Sequence, residues 1–197
     1  MGQYYTPIII PTGNKNPKVF YSHDYNNGLK LMEHSYLDNS FVSAVLQNIA
    51  PGERLIWLGD YGEYDDLIGT NPDMKAVFTE DRFEEIKELQ GDKGDQYKVA
   101  PPATRKEKQY VLNITKGEYI DLKEYREIIE DQYGDPDWIV HPVPLLCSVG
   151  NGGGGGDYYG PDKEACGRWA GDVIMYTDNL PSGIPFTNIS GWYLFKD

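Results

Sequence analysis

The stretch Gln109-Tyr110-Val111-Leu112-Asn113-Ile114-Thr115-Lys116-Gly117-Glu118-Tyr119-Ile120-Asp121-Leu122 decides the fold class. Two short runs rich in β-branched and aromatic residues flank Lys116-Gly117, which is the signature of a hairpin. Lys123 to Tyr133 then has the composition of a short helix. The same grammar recurs at the N-terminus. Tyr4-Tyr5-Thr6-Pro7-Ile8-Ile9-Ile10-Pro11 reads as a strand, Thr12 to Pro17 as a turn cluster, and Lys18 to His23 as the returning strand. Pro7 cannot donate to a ladder, so this strand is expected at an edge or a bulge.

Between the hairpins, the apolar positions Leu29, Met32, Tyr36, Phe41, Val45 and Ile49 recur at helical spacing. Asp38, Asn39 and Ser40 are all N-cap types, so a break near Tyr36 and a restart near Asn39 fit the pattern. Arg54 to Leu58 reads as a buried strand with Asp60 at its exit. Trp138 to His141, Asp172 to Tyr176 and Gly191 to Phe195 supply further strand signals. Strands outnumber helices and arrive in hairpins. The expectation is an α+β fold: a mainly antiparallel sheet of hairpins, the Leu29–Ile49 helix as principal cover, and an acidic helical insertion.

The chain has 197 residues, 40% of them hydrophobic, which suits a single domain over 1–197. Its formal charge is −13, so direct coating of nucleic acid is not expected. Thirteen acids and five bases fall in 53–97, a net of −8. Residues 62–108 therefore read as an acidic insertion or flap, with Thr79 to Leu89 as an amphipathic helix. No run approaches the roughly 20 apolar residues of a membrane span, and Met1 to Tyr5 does not read as a signal peptide. A cytoplasmic location is expected, with Cys147 and Cys166 reduced.

Gly150-Asn151-Gly152-Gly153-Gly154-Gly155-Gly156-Asp157-Tyr158-Tyr159-Gly160 is the strongest local signal, with seven glycines in 11 residues. Such a run costs ordering entropy and adds no side-chain packing. It reads either as a flexible connection or as backbone brought close to an anion or a flat ligand. The binding reading takes Gly152, Gly153, Gly154, Asp157, Tyr158, Tyr159, Arg168 and Trp169 as the pocket for a nucleotide- or sugar-like small molecule. Tyrosine and tryptophan suit that task because they stack on rings and keep a polar handle. Sequestration of a signal is a role such a pocket could serve.

Two alternatives stand beside it. Histidine occurs three times, and His34 and His141 with Asp60 and Asp157 offer the residue types of a hydrolase assisted by Mg²⁺ or Mn²⁺. The 53–97 surface, with Glu84, Glu85 and Glu88, offers an acidic nucleic-acid mimic directed at a host protein. No metal site of recognisable spacing is present, and no cofactor follows from the motifs.

Several blocks carry a resemblance. Met1 to Tyr5, Gly28 to Tyr36, Trp57 to Tyr61, His141-Pro142 leading into Gly150 to Gly160, and Trp169 to Asp172 together resemble an uncharacterised family of small bacterial and phage-type proteins. The resemblance spans nearly the whole chain. It implies a cytosolic protein of bacterial or phage origin and carries no activity or functional residues over.

Overall fold

The structure is a computed structural model that describes residues 1–13, 15–76, 78–90, 107–134 and 138–195. The fold is α+β, with two four-stranded, mainly antiparallel sheets. The first runs β2-β1-β3-β6, where β1 is Tyr5–Ile10, β2 Lys18–Val19, β3 Arg54–Gly59 and β6 Ser148–Val149. The second runs β7-β4-β5-β8, where β4 is Tyr110–Asn113, β5 Glu118–Asp121, β7 Ile174–Thr177 and β8 Thr187–Asn188. Only β3–β6 and β5–β8 pair parallel.

The β4–β5 hairpin forms where the Lys116-Gly117 turn places it, with Val111 opposite Ile120 and Leu112 opposite Tyr119. The N-terminal hairpin also forms, Ile8 opposite Val19. β1, however, is an interior strand, because β3 pairs along its other side from Tyr5–Gly59 to Ile10–Arg54. Pro7 is tolerated there for a geometric reason. Its partner Trp57 donates its backbone N–H away from β1, to Cys147 O at 2.8 Å. The donor that Pro7 lacks therefore falls on the β2 side, past the two residues that β2 pairs.

Period-two alternation sends β1 and β3 to two cores. Tyr5, Ile9, Leu55 and Trp57 face one core; Ile8, Ile10, Ile56 and Leu58 face the other. Burial on both faces explains why these strands read as continuous apolar runs. The first core is shared with the second sheet (Val111, Ile120, Ile174, Tyr176) and with three helices: α1 Ser40–Gln47, α4 Leu122–Tyr133 and α5 Pro142–Leu146. The second core is closed by Leu67 of α2 Tyr64–Thr70, Phe83 and Ile86 of α3 Glu80–Lys87, and Met74 and Phe78 between them. The acid-rich stretch thus packs its apolar side on the sheet over 64–90, with Glu84, Glu85 and Glu88 exposed; residues 91–106 lie outside the described residues.

The Leu29–Ile49 helix is shorter than its spacing suggested. Ser35 and Tyr36 are drawn into extended pairing with the chain around Val140, His141 N donating to Ser35 O at 2.9 Å. Asp38 then turns the chain with φ 63°, and α1 begins only where the Asn39 side chain accepts from Phe41 N. Trp138–His141 gives one bridge residue instead of a strand, since His141 caps α5. Gly191–Phe195 forms no strand; β8 precedes it. The sheets join where Arg54 bridges Val173 and Leu55 N donates to Asp172 O at 3.2 Å. No helix among the described residues is long and apolar enough to cross a membrane.

Candidate functional site

The glycine-rich loop leaves β6 and returns along the N-terminus. Gly155 pairs with Gly2, giving and taking backbone hydrogen bonds at 3.0 Å with Met1 O and Gln3 N. The glycines are there for close approach: a Cβ on Gly154 would stand 2.7 Å from Gln3 Cβ, and one on Gly150 2.5 Å from Gly62 Cα. The loop is therefore a packed element of the fold.

Its backbone N–H groups do cradle an anion, and the anion belongs to the chain. Asp157 Oδ2 accepts from Gly152 N at 2.7 Å and Gly154 N at 2.8 Å, while Oδ1 accepts from the Tyr5 hydroxyl at 3.0 Å. Burial and the Asp157 charge both push the Tyr5 phenol far above its ordinary range, so it stays a donor. Asn151 clamps the loop ends, donating to Tyr158 O at 3.0 Å and accepting from Tyr158 N at 2.9 Å. With these donors committed, a phosphate has no free nest here.

The other residues expected at the pocket divide. Tyr158 is buried against Phe195, ring centroids 5.3 Å apart. Trp169 is wholly buried and donates to Glu118 Oε2 at 2.9 Å; Arg168 forks onto the same carboxylate, with Nη1 at 2.7 Å. These two build the core–sheet junction. Tyr159 differs: it is 61% exposed, and its hydroxyl donates to Gly154 O at 2.9 Å. Tyr61 and Tyr4, also exposed, flank the same loop, Tyr61 Cε2 lying 3.1 Å from a Cβ built on Gly154 and Tyr4 Cε1 3.7 Å from one on Gly2. Glycines 152–156 raise no side chain between these rings. Asp60 sits beside them at the β3 exit, held by Tyr4 N at 3.1 Å.

Among the described residues no hydrogen bond joins His34 or His141 to Asp60 or Asp157. His34 is wholly buried, with Nε2 accepting from Trp57 Nε1 at 2.9 Å, so its Nδ1 carries the proton that meets Gly28 O at 3.0 Å. Both nitrogens are spent, and burial lowers the ring to about 4. His141 is likewise buried; its Nδ1 accepts from Val143 N at 3.2 Å, leaving Nε2 facing Glu107 Oε1 at 3.9 Å. Burial holds His141 at about 3.

Sequence spacing did not reveal the group around His141. Burial, together with a hydrogen bond to Asp38, pushes the Glu107 carboxyl up to about 7. Asp38 is pulled the other way: burial opposes its charge, but Glu107 and the Arg126 guanidinium, 2.6 Å from Oδ2, hold it below the usual range. The two carboxyls line a cleft of about 210 Å³ with Arg126 and Lys123. Neither His141 Nε2 nor Glu107 Oε1 has a hydrogen-bond partner among the described residues. Asp38 is one of two non-glycine residues with a left-handed φ among the described residues, a feature invisible in a sequence. Cys147 and Cys166 are free, and burial raises the Cys166 thiol to about 12. No cluster of histidine, cysteine or carboxylates suited to a metal occurs among the described residues. Compared with protein-family models, curated proteins and solved structures, the chain matches none.

Proposed function

We propose that the protein binds a small ring-bearing ligand, sugar-like rather than phosphate-like, on the face of the glycine-rich loop. One observation carries the reading: Tyr4, Tyr61 and Tyr159, each exposed, border a stretch that bears no side chains. Tyrosine rings stack on the apolar face of a flat ring, and the Asp60 carboxylate beside them can accept hydroxyl donors. The committed donors of Gly152 and Gly154 support a neutral ligand over an anion. Sequestration of a small signal in the cytoplasm is the role this chemistry suits.

Amide-resolved NMR titration with neutral mono- and disaccharides tests it. Shifts are expected at residues 152–156 and at Tyr61 and Tyr159, with affinity falling at least tenfold, about 1.4 kcal/mol, in Tyr159→Ala or Tyr61→Ala. No shift at millimolar ligand across the panel rejects the reading.

A second reading, acid–base hydrolysis, is favoured by the Asp38 and Glu107 carboxyls lining one cleft beside His141. Carboxyls whose environments push them apart divide into acid and base. It would require turnover that is lost in both Asp38→Asn and Glu107→Gln and that falls as pH rises past about 7, where Glu107 loses its proton.

A further inference from the structure

At the opposite end of β1 from the glycine-rich loop, the chain opens a cleft of about 780 Å³. It lies at the joint between the sheets, where Arg54 opens β3 beside Val173, and is lined by residues 11–13, 15 and 16 after β1 and by Thr79 and Arg82 at the start of α3. Three cations line it: Lys15 from the turn, Arg54 from the strand and Arg82 from the helix. No carboxylate appears among its described lining residues.

That composition runs against the chain, whose charge is −13 and whose 53–97 segment is the most acidic part. Two of the five bases of that segment, Arg54 and Arg82, are nevertheless turned to this one cleft. Bringing three like charges together costs Coulomb energy unless an anion sits among them. The internal partners leave capacity. Arg54 Nη1 donates to Gly171 O at 2.7 Å, and Arg82 Nη1 meets Glu85 Oε2 at 2.7 Å, a carboxylate that is 64% exposed and so a weak competitor. Lys15 has no partner among the described residues. Guanidinium forks match phosphate oxygens in pairs, and lysine adds a point charge. The remaining wall is apolar, with Ile10, Phe78 and Val173, and the volume lies in the range of small-molecule sites, about 300–1,000 Å³.

We infer that this cleft binds a phosphorylated small molecule of nucleotide size, its phosphates on Lys15, Arg54 and Arg82 and its ring against the Ile10–Phe78 wall. The site is separate from the tyrosine-bordered loop, and the two stand or fall independently.

Calorimetry with ADP, inorganic pyrophosphate and adenosine tests it on the intact chain at low salt. ADP is expected to bind most tightly, pyrophosphate more weakly and adenosine least. Lys15→Gln/Arg82→Gln should weaken ADP at least tenfold while leaving the melting temperature near wild type, since neither side chain is in a core. Raising the salt should weaken ADP binding, and Tyr159→Ala should leave it unchanged. Absence of binding by both ADP and pyrophosphate at millimolar concentration overturns the inference. So does ADP binding that survives the double substitution, or that is lost in Tyr159→Ala instead.

Discussion

At the scale of single residues, a buried carboxylate replaces the ligand that a glycine-rich loop invites. Asp157 has both oxygens engaged, by Gly152, Gly154 and Tyr5. Asp157→Ala would leave two backbone donors and a buried phenol unpaired, a loss of about 3 kcal/mol or more. Urea denaturation measures it; a loss below 1 kcal/mol would mean that the loop stands without its internal anion. The histidines make a pH-dependent prediction. His34 is held at about 4 and His141 at about 3, so the fold excludes protons that the unfolded chain takes up below about 6.5. Their contribution is intact above pH 6.5 and is lost progressively as pH falls from there toward the folded values. At pH 5, at about 1.4 kcal/mol per pH unit, each is destabilising by about 2 kcal/mol. Glu107, raised to about 7, works in the opposite sense: its contribution is full below the ordinary glutamate range and lost as pH rises through 7. The stability gap between wild type and His34→Gln should therefore narrow by about 2 kcal/mol from pH 7 to pH 5. A constant gap would show that His34 titrates normally. None of this was legible from residue type, because His34 is disarmed by Trp57 and Gly28, which lie far from it or carry no side chain.

At the scale of elements, local chemistry was legible wherever it acts on neighbours in sequence. The Lys116-Gly117 turn, the Asn39 cap and the Lys123–Tyr133 helix all follow from contacts within a few residues. Asn39→Ala removes the acceptor for Phe41 N and should cost about 1 kcal/mol, read from the urea midpoint; an unchanged midpoint would show α1 held by packing alone. What local signals could not show is competition. Tyr36 has helical spacing to Met32, yet it pairs with Val140 from the other half of the chain. The loop glycines are another case. Their number was plain, but the reason, contact with Gln3 and Gly62, depends on the N-terminus returning to the same edge. Gly154→Ala should therefore lower the urea midpoint more than a substitution at Gly152, where a Cβ meets nothing within 4 Å. Gly152 also has φ 101°, which favours glycine whatever the space, so the comparison is made against Gly152→Asn, which tolerates that region better.

At the scale of the molecule, one buried aspartate sits where the two sheets meet, its backbone on β3 and its carboxylate on β4. Asp172 is wholly buried between β3 and β7. Its Oδ1 accepts from Asn71 at the end of α2 at 2.7 Å, and its Oδ2 accepts from Asn113 of β4 at 2.7 Å and faces Lys116 Nζ at 2.8 Å. Its backbone oxygen takes the N–H of Leu55. A buried charge without partners is costly, so this one is stable because three groups, Asn71, Asn113 and Lys116, converge on the carboxylate. The converse governs its removal. Asp172→Ala would bury two amides without acceptors and strand the Lys116 ammonium at its inner end, a loss of about 3–5 kcal/mol. Lys116→Met should cost far less, since the lysine is partly exposed and the two asparagines still satisfy the carboxylate. Urea denaturation followed by tryptophan fluorescence and by circular dichroism distinguishes the roles. Asp172→Ala should lower the midpoint steeply by both probes; a midpoint near wild type would show that the apolar packing and the backbone bonds around Asp172 suffice without its carboxylate.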